Sequence, residues 1–143
     1  MKSKILYENG ERIFALIFET DDDPVKLIME FAQDYNLTAG SFTAIGAFKE
    51  VTLGYFDINK KDYIKNKINE QVEVLSMVGN IALYKEEHKV HSHVVVGKRD
   101  GTAHGGHLLS ASVRPTLEVI VNETPNYLRR WFNDEYKLPL INF

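Results

Sequence analysis

Cysteine is absent from all 143 residues, which removes disulfides, thiolate nucleophiles and sulfur ligands for zinc or an iron–sulfur cluster. Any metal must therefore rest on nitrogen and oxygen. No apolar run approaches the roughly 20 residues needed to span a bilayer. The opening stretch from Met1 to Glu8 breaks off before a signal-peptide core could form, so no membrane partner and a cytoplasmic location are expected. A basic stripe is missing too: the net charge is −3 and the paired basic residues (Lys60-Lys61, Lys98-Arg99, Arg129-Arg130) are scattered, which disfavours nucleic acid as a partner. Repeats, linkers and low-complexity segments are also lacking. With 44% hydrophobic and 26% charged residues, the composition fits one globular domain over residues 1–143.

What is present reads mostly as strand. Glu11 to Glu19 places Ile13, Ala15 and Ile17 on one face and Phe14, Leu16 and Phe18 on the other, the pattern of a central strand covered on both sides. Asp21-Asp22-Asp23-Pro24 then supplies a capping acid and a proline at the first helical position. Val25, Ile28, Met29, Ala32 and Tyr35 follow at helical spacing, so an amphipathic helix is expected to end near Asn36. From Gly40 the period changes to that of strands, over residues 41–56, 63–68, 71–83, 89–96, 105–113 and 117–121. The connections are short and rich in turn residues, which suits antiparallel neighbours. Thr124-Pro125 marks a second helix carrying Leu128, Trp131 and Phe132, and Pro139 begins a short extended tail. The expected fold class is α+β, a mainly antiparallel sheet with flanking helices.

All five histidines, His88, His91, His93, His104 and His107, fall between residues 88 and 107. Residues two apart in a strand point to the same side with Cα atoms about 6.6 Å apart, so the imidazoles of His91 and His93 can converge on one ion. Val90, Val94 and Val96 occupy the alternate, core-facing positions. Whether His107 joins them depends on loop parity. An odd-numbered loop centred on Asp100 sets His107 opposite His93 and Leu109 beside His91, whereas a two-residue Asp-Gly turn sends His107 to the other side. The odd loop is adopted here, because it also leaves Gly105 and Gly106 as small residues near the site. Three neutral imidazoles with one open position are the donor set of a catalytic-type zinc site. Glu118 is the expected fourth ligand or outer hydrogen-bond acceptor, and His88 and His104 are expected to face solvent.

Other motifs carry less. The glycines from Gly40 to Gly46 are not followed by the Gly-Lys-Ser/Thr of a phosphate loop. Gly79-Asn80 reads as a bulge or tight packing. Ser76, Ser92, Ser110 and Ser112 lack the elbow of a serine hydrolase. Arg114 and Glu118 suit a surface ion pair as well as an anion site.

Several segments in order, Gly40-Ser41-Phe42-Thr43-Ala44-Ile45-Gly46-Ala47, Val74-Leu75-Ser76-Met77-Val78-Gly79-Asn80-Ile81, His91-Ser92-His93, Asp100-Gly101, Gly105-Gly106-His107-Leu108 and Thr116-Leu117-Glu118-Val119, resemble the plant-and-prokaryote-conserved (PPC) domain. The resemblance runs from the first strand to about Val121. It implies an α+β domain that assembles as a homotrimer, of the bacterial and archaeal type, with His91, His93 and His107 at the positions of a metal or small-ligand site. Plant relatives join the domain to an Arg-Gly-Arg-Pro hook for the minor groove of A·T-rich DNA, and this sequence contains no such segment. Three functional expectations follow: a module that binds a divalent metal, preferably zinc, or a small ligand; a metal-dependent enzyme using the open coordination position; or a DNA-associated regulatory module.

Overall fold

The structure is a computed structural model that describes residues 1–124 and 128–142. Nine strands and one helix are formed by these residues: β1 (Lys2–Asn9), β2 (Glu11–Phe18), α1 (Pro24–Asp34), β3 (Gly40–Asp57), β4 (Asp62–Ile68), β5 (Val72–Tyr84), β6 (Glu87–Gly97), β7 (Ala103–Glu123), β8 (Arg130–Asn133) and β9 (Leu138–Ile141). Seven strands make one antiparallel sheet in the order β1-β2-β7-β6-β5-β3-β4. A further antiparallel pairing of β3 with β7, from Gly40↔Glu123 to Gly54↔His107, folds the sheet back on itself.

α1 forms where the sequence places it. The Asp23 carboxylate accepts from the Lys26 amide at 3.1 Å, satisfying an orphan donor of the first turn. Pro24 opens the helix, and Asn36 takes a left-handed φ of 49° just beyond its end. Ile28, Phe31 and Ala32 are buried against the sheet. There the Phe31 ring meets Phe14 edge-on at 5.0 Å. Fully burying a side chain of this kind contributes roughly 1.5–3 kcal/mol, and Phe14, Leu16, Phe18, Ile28, Phe42 and Phe48 are all fully or almost fully buried.

Several expectations are corrected. β2 is covered fully on one face only: Phe14, Leu16 and Phe18 are buried, whereas Ile17 on the opposite face is 40% exposed among the described residues. β1 is an additional strand whose residues are all exposed, so it lacks the apolar face by which strands are recognised. The two strands expected at residues 105–113 and 117–121 are one continuous β7, which carries Pro115 through a cis Arg114–Pro115 bond. The second helix is not formed at Trp131 and Phe132, which lie in β8 and pair with Leu140 and Pro139 of β9. The hairpin turns at Lys137, where φ is 58°, and both aromatic rings stay largely exposed. Pro125, where that helix was to start, lies outside the described residues. α1 is thus the single helix among the described residues, and the fold is more strongly β than expected.

Candidate metal centre

The loop after β6 decides the site. Gly97 pairs with Ala103, so the turn is centred on Asp100, and the ladder runs on to His93↔His107. The loop is held locally. The Asp100 carboxylate accepts from the Thr102 amide at 2.9 Å and from its hydroxyl at 2.6 Å, while Gly101 supplies a φ of 83°. The odd parity read from the sequence is therefore the observed one. His91 and His93 alternate with the buried Ser92 and Val94, which turns both imidazoles to the same side of β6.

His91, His93 and His107 each contribute a ring nitrogen, and these three atoms lie within 4.8 Å of one another. The His91 and His93 Nε2 atoms are 3.2 Å apart. Two nitrogens bound at about 2.0–2.1 Å to one tetrahedral zinc ion are separated by roughly 3.4 Å, so this pair already has the spacing of a shared ion. The His107 ring lies 5.0 Å from that of His91 and 5.5 Å from that of His93 between centroids.

The electrostatics favour the form of imidazole that binds a metal. Burial, aided by the nearby His107, Arg130 and His93, pulls the His91 pKa down to about 4. Burial, with His93 and Arg130, lowers that of His107 as well. Both rings are therefore neutral near pH 7, with a lone pair to donate. The donor set passes the test for a borderline divalent metal: three nitrogens, no thiolate, and a 3.2 Å pair poised to share an ion.

Other expectations for the site fare differently. Glu118 is not in the group. It sits eleven positions beyond His107 on β7, opposite Ile17 and Ile45, so the length of the strand separates it from the histidines. Leu109 is not beside His91, because the β6–β7 ladder ends at His93↔His107 and β7 there turns to pair with β3. His104 is exposed as expected. His88 is not. It is half-buried, and its Nε2 is shielded from solvent without a hydrogen-bond partner.

Two site residues were missed. Tyr63, on β4, leans its ring on that of His107 at 4.8 Å and brings its hydroxyl to 3.5 Å from Nδ1. Arg130, at the start of β8, is 8% exposed. Its Nη2 donates to Asn80 Oδ1 at 2.6 Å and its Nη1 to the Pro139 carbonyl at 3.2 Å. No local signal marks either residue, since both reach the histidines through tertiary pairing alone. Together with His91 and His107 they border a pocket of about 220 Å³, whose apolar wall is Val90, Leu138, Pro139 and Leu140.

Comparison with known families adds to this geometry. The model of the Plants and Prokaryotes Conserved (PCC) domain matches residues 6–125. The chain belongs to that family. Solved PCC-domain structures superpose over nearly its whole length. A metal-containing protein from Archaeoglobus fulgidus is 35% identical with a TM-score of 0.86, each chain covered in full. A PPC protein from Pyrococcus horikoshii is 26% identical with a TM-score of 0.87, over 92% of each chain. A Bacteroides thetaiotaomicron protein that carries a provisional DNA-binding label is 28% identical with a TM-score of 0.88, over 99% of this chain and 97% of its own. No curated protein matches the sequence. Arg130 and the β8–β9 hairpin lie beyond the segment matched by the PCC model.

Proposed function

We propose that this PCC-domain protein binds a divalent metal ion, zinc by preference, through His91, His93 and His107, and recognises a small ligand in the adjoining pocket. The observation that carries the reading is the convergence of three ring nitrogens within 4.8 Å. It is supported by the description of the 35% identical A. fulgidus relative as metal-containing. Zinc held by three imidazoles would supply Lewis acidity at its open position. The chain's own residues do the rest: Tyr63 orients His107, the apolar wall limits water, and Arg130 presents positive charge to the pocket.

The metal-dependent enzyme is a second reading, favoured by the pocket that opens beside the histidines. A DNA-associated role has less support, because the net charge is −3 and the paired basic residues are scattered along the sequence.

The functional unit in this proposal is a cytoplasmic homotrimer. Ile17, Ile45, Leu75, Val78, Val95 and Ile120 are all 39–59% exposed. Several of them are placed by the ladders on neighbouring strands, with Ile17 and Ile45 both opposite Glu118 and Val78 opposite His93. A large uncovered apolar face is the usual mark of an association surface.

Metal analysis of protein purified without a polyhistidine tag and supplied with zinc tests the central reading. About one equivalent per chain is expected, falling to a small fraction in the His91→Ala/His93→Ala double variant. Zinc content well below one equivalent and unaffected by the two substitutions refutes it.

A further inference from the structure

Arg130 stands out because it is buried without a counter-ion among the described residues. It is the one charged side chain in the buried class among the described residues. No acidic group among the described residues offsets its burial, which lowers its pKa. Its two hydrogen bonds go to neutral acceptors, the Asn80 amide oxygen and the Pro139 carbonyl, and its Nε is buried without any acceptor. Placing an unpaired cation in a protein interior is among the costliest arrangements a fold can hold. Arginine does not escape by losing its proton, so an anion in the adjoining pocket is the partner that would complete its pairing.

The surroundings say which anion. The pocket that Arg130 borders has an apolar wall, and at about 220 Å³ it is smaller than the roughly 300–1,000 Å³ of sites for drug-sized ligands. The other basic residue at its rim, Lys89, is already paired with Glu87 at 2.9 Å. One uncompensated positive charge therefore meets a compact apolar chamber.

We propose that this pocket takes a small monocarboxylate with an apolar tail, the carboxylate held by Arg130 and the tail lying against Val90, Leu138 and Leu140. A phosphate dianion matches neither the single charge nor the apolar wall. The inference rests on the proposed metal reading in one respect only: a cation on the histidines and the guanidinium repel each other, and an anion between them relieves both. Metal and carboxylate should then tighten each other's binding by the same factor.

The probe is 3-methylbutanoate, titrated into the whole chain by calorimetry and by amide NMR. Its neutral amide and inorganic phosphate are run in parallel, each in chelator-treated protein and with one equivalent of zinc. Saturable binding is expected, with shifts at the Val90 and Leu138 amides, at least tenfold tighter than the amide or phosphate. Arg130→Gln should weaken it at least tenfold. Asn80→Asp should do the same by giving the guanidinium an internal partner, and this near-isosteric change keeps the test valid if Arg130→Gln does not fold. The inference is overturned by no saturable binding, by amide or phosphate binding as tightly as the carboxylate, or by full affinity in a folded Arg130→Gln or Asn80→Asp protein. Arg130-dependent carboxylate binding in a protein that takes up no zinc removes the metal reading alone. Zinc uptake with carboxylate binding indifferent to Arg130 removes this inference alone.

Discussion

His93 stands directly opposite His107 across the β6–β7 ladder, and the turn centred on Asp100 sets that register. Because side chains alternate along a strand, a turn of even length would have moved His107 to the other side of the sheet and left a two-histidine site. The proposed metal centre thus depends on a loop that contributes no ligand.

Gly101 tests the loop's contribution to the fold. Its φ of 83° lies in the region side chains avoid, although a Cβ there would meet nothing within 4 Å. Gly101→Ala should therefore cost about 1 kcal/mol through the backbone alone. Chemical denaturation should show that loss, while zinc uptake by the folded variant stays at the wild-type level.

Gly79→Ala should damage both fold and site. The new Cβ would overlap the Phe42 ring and lie 2.7 Å from the backbone oxygen of His91. Overpacking of this kind typically costs about 1–3 kcal/mol, and here the displaced backbone carries a proposed metal ligand. Denaturation midpoint and zinc affinity should fall together, whereas a loss of stability with unchanged zinc affinity would show that β6 absorbs the strain without moving His91.

The ion pair between Arg12 and Glu123 predicts a pH dependence remote from the three histidines. The Arg12 Nη2 lies 2.6 Å from Glu123 Oε1, the side chains are 22% and 17% exposed, and the Arg12 guanidinium holds the Glu123 carboxyl below its ordinary pKa of 4.5. A depressed folded-state pKa gives stability that is fully present above the unfolded value and is lost as pH falls through the folded value. Stability should therefore decline below about pH 4.5, and Glu123→Gln should flatten part of that decline while lowering stability at pH 7. Identical acid profiles for the two proteins would remove this pair from the account.

Ile45, 59% exposed on the uncovered apolar face, tests the proposed assembly. Light scattering should give three chain masses for the wild type, and Ile45→Lys should shift it to monomer with its β-sheet circular dichroism intact. A wild-type monomer contradicts the trimer.

Where the sequence was informative, it was so through local chemistry. Asp23 and Pro24 announce α1 because capping and proline geometry act within one turn, and the alternation of His91, Ser92, His93 and Val94 directly encodes a two-sided strand. Trp131 and Phe132 misled because Thr124-Pro125 is a start signal with no information about the partner strand. Leu138–Ile141 supplies that partner and draws Arg130–Asn133 into a hairpin. Glu118, expected as a fourth ligand or outer acceptor, misled because the sequence does not show that one uninterrupted strand carries it eleven residues beyond His107. Arg130 and Tyr63 were illegible for the converse reason: β8 and β4 bring them to the histidines only after the sheet has closed.

Zinc binding should also appear as stability. At a free concentration of 100 times its Kd, a ligand specific to the folded state adds about 2.7 kcal/mol, which for a domain of this size raises Tm by several degrees. Zinc should raise the Tm of the wild type and leave His93→Ala unmoved. An equal rise in both would place the bound metal elsewhere.

The most direct test is a crystal of the zinc-supplied protein measured on both sides of the zinc absorption edge. The predicted result is one anomalous peak per chain within about 2.0–2.1 Å of a ring nitrogen of each of His91, His93 and His107. An empty map at that point, or a zinc peak held by other residues, would contradict the account.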